Sequence, residues 1–466
     1  MTSNLWIDEL QKLVRPEALF RDEVDLLSFT RDASIVPPGM PAVAVRPVSA
    51  EEVGTVLAFA QHRKVPVYAR GAGSMYAGGA VPSAGGIVLD LAALDRILEI
   101  DEARGLVVVE TGVNFGVLLK ALKMRGLTVG VVPLTGPSGT VGGAVSSHGL
   151  GTGSSKFQSL GDEVAGLEVV LADGSIVRTG SAASRTAGFF QRYCIGPDLT
   201  GLFVGANSVF GVITKVALWL HPIPAHAETL CLGFRDVASG TSFLTELQCL
   251  EMTRNIWYGA VYDGATVKGK IAALRPDVAP ESLPNLAVGI DLRGDADDVA
   301  RDRAKLIAMA EARGGGPFDV YDEIFFRKLR HDNTFWYSFA GYCTLSRSAL
   351  LMGSLPTERM PDFLEMVTGL RKDHTEFVWG GGVVLCKRGL HAGVIGFYDE
   401  AKQWQMMQKV FAGVRHAFLK IGGVPYKSGQ LWSDTAEAYP DYLGLLGKIR
   451  GAIDPAQIMG RGNLGT

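Results

Sequence analysis

A glycine-dense stretch near the start of the chain has residue types suited to binding an anion. The glycines Gly71, Gly73, Gly78 and Gly79 follow an apolar run at residues 65–69 and precede a second apolar run. Glycine tolerates positive φ and close approach, so successive backbone N–H groups can converge on an anion such as a diphosphate. A plain glycine-rich hairpin has the same composition, and the glycine count alone favours that interpretation.

Two common nucleotide-binding motifs are missing from the sequence. The segment 71–75 (GAGSM) is followed by Tyr76, where the dinucleotide fingerprint requires a third glycine. No phosphate-binding loop ending in Gly-Lys-Ser/Thr is present either. The sequence therefore disfavours an ordinary nicotinamide site and an ordinary nucleoside triphosphate site.

A second region rich in glycine and serine spans residues 132–153. One interpretation is a mobile surface loop. However, the region contains its own apolar residues and lies between apolar strands, and a long loop inside a compact domain usually has a function. We therefore favour a functional loop that acts together with the first glycine stretch.

Length, composition and charge limit the class of protein. At 466 residues, with 47% hydrophobic and 20% charged residues, the chain is expected to form two or more globular domains. A net charge of -3 without blocks of like charge disfavours binding to nucleic acid or to an anionic membrane. No apolar run approaches the roughly 20 residues of a membrane span, and no signal-peptide core follows Met1, so we predict a cytoplasmic location without an integral membrane segment.

The cysteines are scattered rather than paired at metal-binding or haem-binding spacing. There are five of them, and no C-x-x-C motif occurs. The sequence therefore predicts no disulfide framework, no zinc ribbon and no attached c-type haem. The five are Cys194, Cys231, Cys249, Cys343 and Cys386.

The elements around the first glycine stretch are expected to form a βαβ unit. An apolar strand at residues 42–45 precedes a helix, and a second strand follows at residues 65–69. The segment 49–52 (SAEE) is a capping box that begins the helix. The glycine stretch then lies at the carboxyl end of a strand, where α/β sheets bind ligands.

The rest of the chain predicts further strands and a second α+β domain. A hairpin with an Asp-Gly turn is expected at residues 167–178, and a strand is expected to end near Leu220. From about residue 225, strand-like runs alternate with amphipathic helices, which favours a cap with an antiparallel sheet. The predicted strands of the cap include residues 256–258, 286–292, 377–379 and 394–398, and its helices lie near residues 296–313 and 402–418.

Taken together, the glycine regions resemble those of the FAD-linked oxidases with the fold of vanillyl-alcohol oxidase and 4-cresol dehydrogenase. This family also includes the flavin subunits of glycolate oxidase and D-lactate dehydrogenase. The resemblance covers most of residues 40–225 and returns near the C-terminus, and several signatures occur in order. They are residues 70–74, 85–91, 139–143, 166–173, 211–214 and 446–458.

The resemblance implies an α+β fold with a two-lobed PCMH-type FAD-binding domain. A cap domain built on an antiparallel sheet covered by helices would complete the molecule. The implied boundaries are 1–225 for the FAD-binding domain, 226–424 for the substrate or cap domain, and 425–466 for a C-terminal segment that returns to the FAD-binding domain.

The resemblance also implies FAD as the cofactor, held mainly by backbone donors. A diphosphate in a partly dry site requires converging donors, which agrees with the two glycine regions. Ser74 stands where an attachment histidine is expected, so FAD is either non-covalent or attached elsewhere, with His391 as the first candidate. The implied cofactor-binding residues are Arg70, Gly71, Ala72, Gly73, Ser74, Pro133, Gly139, Thr140, Gly142, Gly143, Ser146, Val212 and Ile213.

The substrate branch of the family is left open by the resemblance. The metal-using 2-hydroxy-acid dehydrogenases carry paired histidines and a later Glu-His, whereas this chain has His391 alone and Tyr426-Lys427, so we predict no catalytic metal. In the 4-alkylphenol branch a Tyr-Arg pair lies near the flavin, and Tyr426-Lys427 is similar to it. Lysine keeps the charge but loses the bidentate fork. The first loop and residues 195–204 instead resemble the glycolate-oxidase branch.

By this resemblance, Tyr426, Lys427 and His391 are the candidate catalytic residues. For His391, a hydrogen-bonded histidine beside the cap sheet is the competing interpretation. The implied function is transfer of hydride from a phenolic benzylic alcohol or 4-alkylphenol to flavin N5. The alternatives are a 2-hydroxy-acid dehydrogenase and a flavin-binding electron-relay subunit of a complex.

The expected partners are a small-molecule substrate and an electron acceptor. The acceptor is oxygen, a quinone, a cytochrome or another flavoprotein, and either a homo-oligomer or a hetero-complex is compatible with the sequence. Arg327 and Arg330 are candidates for binding a substrate carboxylate, although such residues more often form a solvated face. Aromatic residues that either line the pocket or belong to the core are Trp257, Tyr258, Trp336, Tyr337 and Trp379.

Overall fold

The computed structural model describes residues 5–250, 255–274, 277–318 and 347–465. Three sheets and the helices packed on them make up most of these residues. The helices are α1 (Leu5–Gln11), α2 (Glu23–Leu27), α3 (Ala50–Arg63), α4 (Phe115–Lys123), α5 (Val141–Ser146), α6 (Ser154–Phe157), α7 (Thr200–Phe203), α8 (Val237–Gln248), α9 (Gly264–Leu274), α10 (Ala296–Glu311), α11 (Met360–Asp373), α12 (Glu400–Lys420) and α13 (Pro440–Ile453).

The first sheet contains the strand that leads into the first glycine stretch. Its strands are β1 (Leu19–Phe20), β2 (Val43–Val45), β3 (Val67–Arg70) and β4 (Ile87–Asp90), in the order β1-β2-β4-β3. The βαβ prediction was incomplete, because β2 and β3 are not neighbours: each pairs in parallel with β4, which lies between them. After the glycine stretch the chain forms β4, which lies between β2 and β3. The Ile87 N–H at the start of β4 donates to the Pro66 carbonyl at 2.8 Å.

The predicted capping box of α3 is only half formed. The Ser49 hydroxyl accepts the Glu52 N–H at 3.3 Å, as expected of an N-cap. The Glu52 carboxylate does not reach back to Ser49. It accepts from the Val48 N–H at 3.0 Å and from Arg15 Nε at 2.7 Å, because the guanidinium draws it away from the cap.

The second sheet is antiparallel and contains the predicted hairpin. Its strands are β5 (Ile97–Asp101), β6 (Leu106–Glu110), β10 (Val164–Val170), β11 (Ile176–Arg178) and β12 (Val212–Pro222), in the order β11-β10-β12-β6-β5, and β7 (Leu127–Val129) pairs with β12. Strands β10 and β11 pair antiparallel around the turn at Asp173-Gly174, which confirms the hairpin. Helices α4 and α5 contribute apolar residues to the core on this sheet.

The prediction of one long loop at residues 132–153 was wrong. Strands β8 (Val132–Pro133) and β9 (Gly151–Thr152) pair with each other, and α5 lies between them. The N–H of Val141 donates to the Val113 carbonyl at 2.8 Å, and the N–H of Gly142 donates to the Thr111 carbonyl at 2.9 Å. These long-range backbone bonds order the region, and local composition does not reveal them.

The third sheet is the antiparallel cap sheet that the sequence predicts. Its strands are β13 (His226–Phe234), β14 (Ile256–Asp263), β15 (Leu286–Gly294), β16 (Gly315–Pro317), β17 (Arg347–Leu355), β18 (Val378–Leu385), β19 (Leu390–Tyr398) and β20 (Val424–Pro425), in the order β16-β13-β15-β14-β18-β19-β17-β20. Helices α8, α10, α11 and α12 pack on one face and bury a large apolar core. On the opposite face, residues of the sheet pack against Leu134 and Leu150 from the first part of the chain.

The C-terminal segment lies against the first sheet. After α13, the N–H of Val67 donates to the Ile458 carbonyl and the N–H of Gly460 donates to the Val67 carbonyl, both at 2.8 Å. The buried Asp454 carboxylate accepts the N–H groups of Ile458 and Met459 at 3.0 and 2.9 Å. Residues 458–460 therefore extend the sheet beside β3, while the exact domain boundaries at 225 and 424 stay a prediction.

Candidate functional site

Two adjoining cavities lie where the glycine regions meet the free face of the cap sheet. The glycine-lined cavity, bounded mainly by residues 69–80 and 133–147, holds about 790 Å³ of empty space that is partly open to solvent. The apolar cavity lies between the cap sheet and residues 134 and 150 and holds about 1090 Å³, also partly open to solvent. Ser74, Thr135 and Lys427 line both cavities, so a ligand that spans the two passes these side chains.

Most of the predicted cofactor-binding residues line the glycine-lined cavity. They come from the turn after β3, from the end of β8, from the approach to α5 and α5 itself, and from β12. The structure therefore brings together segments that are far apart in the chain. The predicted residues in this lining are Gly71, Ala72, Gly73, Ser74, Pro133, Gly139, Thr140, Gly142, Gly143, Ser146 and Ile213.

Two of the predicted residues, Arg70 and Val212, lie outside this lining. The Arg70 guanidinium donates to the Arg31 carbonyl at 2.6 Å and lies 6.0 Å from the centre of the Phe29 ring. Burial lowers the pKa of Arg70, an effect that the carboxylate of Asp32 opposes. Val212 is fully buried in the apolar core of the first sheet. Both residues therefore support the fold around the cavity.

The residues of the glycine-lined cavity fit a diphosphate. The Thr140 hydroxyl is buried and has no hydrogen-bond partner among the described residues. A Cβ added at Gly71 would collide with this hydroxyl, and one added at Gly142 would collide with the Thr111 hydroxyl. The two glycine regions therefore approach each other closely, and the Thr140 hydroxyl lies without a partner among the described residues in the cavity that they line, which suits the binding of an anion.

The apolar cavity is formed by the free face of the cap sheet and by the chain after β20. Strands β14, β17, β18 and β19 supply one wall, and Leu134, Leu150 and residues 426–432 supply the opposite side. Side chains with a polar or ionisable group are a minority of this lining. Apart from Ser74, Tyr76 and Thr135, the cavity's polar or ionisable residues and its tryptophan are Tyr258, Tyr262, His391, Tyr426, Lys427 and Trp432.

His391 lies in the wall of the apolar cavity. It pairs with Ser354 of the neighbouring strand, whose hydroxyl is 3.4 Å from the ring nitrogens, and its ring meets the Tyr426 ring edge-on with centroids 4.6 Å apart. Burial, together with the positive charges of His148 and Lys427, lowers the pKa of His391 to about 3. The imidazole is therefore neutral near pH 7 and can accept a hydrogen bond, but it is too weak a base to hold a proton at that pH.

Lys427 lines both cavities, and its neighbour Tyr426 lines the apolar cavity. Burial raises the pKa of Tyr426 well above its usual value of 10, so its hydroxyl stays protonated. Lys427 has a left-handed backbone with φ of 58°, and its Nζ is 5.4 Å from the centre of the Tyr426 ring. Burial lowers the pKa of Lys427 to about 8. Among the described lining residues of both cavities, Lys427 carries the only ammonium or guanidinium group.

Some aromatic candidates lie elsewhere. Trp257 packs edge-on against Phe157 with centroids 5.3 Å apart, and Trp379 stacks on Phe411 at 6.0 Å, so both belong to packing clusters. Tyr258 does line the apolar cavity. The candidates Arg327, Arg330, Trp336 and Tyr337 lie outside the described residues.

Sequence reasoning missed several lining residues. Thr111, Thr135 and Asn207 line the glycine-lined cavity, while Gly382 and Gly393 line the apolar cavity. Strand alternation puts Gly382 and Val384 on one face of β18, and this pattern can be read from the sequence. The sequence does not show which face of the strand the helices leave uncovered. Within the described ranges, no group of three or more His, Cys, Asp or Glu side chains is arranged to hold a metal ion.

Comparison with known proteins identifies the cofactor domain. Residues 41–180 match the family described as FAD binding domain. The glycolate oxidase subunit GlcD of Bacillus subtilis is 29% identical over 240 residues, about half of each chain. An uncharacterised FAD-linked oxidoreductase of Mycobacterium tuberculosis is 28% identical over 449 residues, 91% of each chain. A D-lactate dehydrogenase of Archaeoglobus fulgidus is 26% identical over 476 residues, 98% of this chain and 99% of the relative.

Solved structures with the same fold include two enzymes named for phenols. A p-cresol methylhydroxylase with substrate bound has a TM-score of 0.83 at 18% identity, covering 99% of this chain and 96% of the other. The 4-ethylphenol oxidase of Gulosibacter chungangensis has a TM-score of 0.83 at 19% identity, with the same coverage. At these identities the likeness shows the fold alone.

These matches define the class of protein. The chain has the mixed α+β fold of the PCMH-type flavoproteins, and it binds FAD. Within that class it is an FAD-linked oxidoreductase, which confirms the family resemblance, the enzyme class and the cofactor expected from the sequence. No helix in the described part of the chain is long and apolar enough to cross a membrane.

Proposed function

We propose that the protein oxidises a phenolic substrate, either a 4-alkylphenol or a phenolic benzylic alcohol, with FAD as the electron acceptor. The observation that carries this proposal is the distribution of polar groups in the apolar cavity. Tyr426, His391 and the single lysine, Lys427, are close together, while most of the remaining lining is apolar. A substrate with a flat apolar body and one ionisable hydroxyl is complementary to this arrangement.

Each of the three side chains has a role that follows from its protonation state. The Lys427 ammonium stabilises a phenolate oxygen by charge, and the protonated Tyr426 hydroxyl is a hydrogen-bond donor. The neutral His391 imidazole is a hydrogen-bond acceptor for the phenol hydroxyl, and because its pKa of about 3 makes it too weak a base to keep the phenol proton, that proton passes to solvent. Loss of that proton pushes electron density toward the para substituent and makes hydride departure from the benzylic carbon easier. FAD, when bound, would supply the hydride acceptor for this two-electron oxidation.

The names of the structural neighbours agree with a phenolic substrate, whereas those of several sequence relatives favour another class. A 2-hydroxy acid is the second candidate because the D-lactate dehydrogenase relative matches over nearly the whole chain. A small hydroxy acid would place its carboxylate in a cavity lined mostly by apolar groups, with Lys427 as the counterion among the described residues. This mismatch favours the phenol.

The route of the electrons after FAD remains a prediction. Oxygen, a quinone, a cytochrome or another flavoprotein is the acceptor, and the location is predicted to be cytoplasmic. A flavin-binding relay subunit is the alternative of a different class. Gel filtration with neighbouring gene products and a turnover assay of the isolated protein distinguish it, because a relay subunit has no turnover by itself.

The test is an anaerobic titration of the FAD-loaded protein followed by visible absorbance. We expect 4-ethylphenol or 4-hydroxybenzyl alcohol to bleach the flavin band, and D-lactate and glycolate to leave it unchanged. Lys427→Met should slow the bleaching by about 10- to 100-fold, because a charge-assisted bond is worth about 1.5–3 kcal/mol. Lys427→Arg keeps the charge and serves as the control. Bleaching by the hydroxy acids but not by the phenols contradicts the proposal.

A further inference from the structure

We propose that two glycines facing each other across the cap sheet, Gly382 and Gly393, form the wall that determines the largest substrate that the apolar cavity admits. This inference rests on the proposed function only in assigning the apolar cavity to the substrate. Gly382 of β18 pairs directly with Gly393 of β19, and both line the cavity.

The two glycines form a gap in a row of larger residues. Tyr262 of β14 pairs with Gly382, and Met352 of β17 pairs with Gly393, so one line across four strands reads Tyr, Gly, Gly, Met. All four residues line the apolar cavity. Since neighbouring strands are about 4.8 Å apart, the missing side chains leave a slot roughly two strands wide between Tyr262 and Met352.

Neither glycine is required by backbone conformation or by packing. Neither has positive φ. A Cβ at Gly382 would lie 3.7 Å from the nearest atom of Tyr262, and a Cβ at Gly393 would lie 3.4 Å from Met352, which are ordinary or nearly ordinary contacts. A side chain is therefore sterically possible at each position, and it would project into the cavity.

Other glycines of the same sheet have a packing reason, which makes this pair distinct. A Cβ at Gly381 would lie 2.9 Å from Val367, and one at Gly396 would lie 2.9 Å from Met407. A Cβ at Gly353 would collide with Phe418. A Cβ at each of these three positions would point toward the helices that cover the opposite side of the sheet, although the backbone of Gly381 also lines the cavity, so their small size is explained by the core.

A glycine in a strand interior weakens the sheet, because it loses more backbone entropy and packs no side chain. With no packing need, the remaining reason for the pair is close approach of a ligand to the backbone. The slot adjoins His391, which is two residues before Gly393 and shares its face of β19. We infer that the bulky apolar part of the substrate, such as a second ring or a branched alkyl group, lies flat against these two peptides.

The test compares ligands of graded size that lack a benzylic hydrogen and so cannot be oxidised at that carbon. The FAD-loaded protein is titrated with phenol, 4-tert-butylphenol and 4-phenylphenol, and Kd values are taken from the shift of the flavin absorbance. We expect Gly382→Val to raise the ratio of Kd for 4-phenylphenol to Kd for phenol by about 10- to 100-fold, since a pocket discriminates strongly against groups that no longer fit. Met352→Ala should lower the same ratio.

A matched control is Gly316→Val, a glycine of edge strand β16 whose added Cβ would meet no atom of the described residues within 4 Å. It should leave the Kd ratio unchanged. Thermal unfolding of all variants, followed by circular dichroism, separates loss of folding from loss of fit. An unchanged ratio in Gly382→Val, or equal weakening of every ligand, overturns the inference.

Failure of the proposed function has a different signature. If no phenol shifts the wild-type flavin spectrum, the phenolic proposal is wrong, and the ratio is measured with mandelate and glycolate instead. A ratio of mandelate to glycolate that rises at least about tenfold in Gly382→Val supports the glycine wall with a hydroxy-acid substrate. If neither series of ligands shifts the spectrum, both proposals are overturned.

Discussion

The Thr140 hydroxyl is a polar group whose partner is expected to be the cofactor. It is buried in the glycine-lined cavity without a hydrogen-bond partner in the described part of the chain. A buried hydroxyl without a partner costs free energy, whereas a bond to a phosphate oxygen is charge-assisted and stabilising. We therefore expect Thr140 to contribute to FAD binding at the expense of the stability of the apoprotein.

The first prediction concerns Thr140→Val, which removes the hydroxyl and keeps the shape. We expect the Kd for FAD to rise by about 10- to 100-fold, while the free energy of unfolding of the apoprotein stays the same or rises by up to about 1 kcal/mol. Flavin fluorescence quenching and urea unfolding measure the two quantities. Thr179→Val is the contrasting control: its hydroxyl accepts the Leu167 N–H at 3.0 Å away from the cavity, so stability should fall and FAD affinity should not.

Burial of Lys427 is expected to have a stability cost that depends on pH. Its pKa is lowered to about 8 in the folded protein because burial disfavours the ammonium. Below pH 8 the group is charged in both the folded and unfolded states, and the full cost of burial is present. Between pH 8 and the unfolded pKa of about 10.4 the unfolded chain binds more protons, so the stability of the folded state rises with pH.

The second prediction follows from this sign. Apoprotein carrying Lys427→Met should be more stable than wild type at pH 7, and the difference in the free energy of unfolding should shrink as the pH rises from 8 to about 10.5. Urea unfolding at pH 7, 8.5 and 10 measures the difference. A constant difference across this range would mean that Lys427 is not desolvated. The exposed Lys402→Met should show no such trend.

At the scale of elements, the C-terminal segment is held beside β3 by one buried carboxylate. Asp454 follows α13 and accepts two backbone N–H groups, and the Arg450 side chain donates to the Met459 carbonyl at 2.7 Å. These contacts position residues 458–460 next to Val67, which begins the strand that leads into the first glycine stretch. The first glycine stretch is therefore supported by residues that lie near the end of the sequence.

The third prediction is that Asp454→Ala lowers the free energy of unfolding by about 3 kcal/mol, because two buried N–H groups lose their acceptor. Asp454→Asn retains one acceptor oxygen and should cost less. Chemical denaturation of the FAD-free protein measures both values. Asp441→Ala, in the exposed first turn of α13, is the control and should change stability by less than about 0.5 kcal/mol. Equal effects at the two positions would contradict the assigned role of Asp454.

At the scale of the whole molecule, the cap is tied to the N-terminal region through Arg347. This residue begins β17, donates to the Ser34 carbonyl at 2.8 Å and forms an ion pair with Glu400. Glu400 also pairs with Arg31 at 2.7 Å. The apolar cavity requires both regions in register, since its lining includes Ala77 and Leu134 as well as the cap strands.

The fourth prediction is that Arg347→Met loosens the cap from the rest of the molecule. We expect a loss of about 2–3 kcal/mol in the free energy of unfolding and a smaller denaturant slope, because the two regions no longer unfold as one unit. Tryptophan fluorescence and flavin release, followed in the same denaturant series, should give separate midpoints. Arg359→Met removes an exposed pair with Asp362 and should leave a single transition.

The sequence by itself determined the local elements and the cofactor. The helix N-cap at Ser49, the Asp-Gly hairpin and the antiparallel strands of the cap sheet follow from short-range chemistry: N-cap acceptors, turn conformations and side-chain period. The spacing of the glycines did not by itself identify the cofactor. The resemblance of both glycine regions to a known family identified it as FAD. These features depend on residues within a few positions of one another, which is why they are readable without a structure.

Only the tertiary structure decided which distant residues share a site. It inserted β4 between β2 and β3, ordered residues 132–153 through backbone bonds to residues 111–115, and brought the His391 and Tyr426 rings within 4.6 Å. It also placed Gly382 and Gly393 on the face of the cap sheet that lines the apolar cavity. Strand pairing and the choice of covered face are set by contacts between segments far apart in the chain, and no local pattern encodes them.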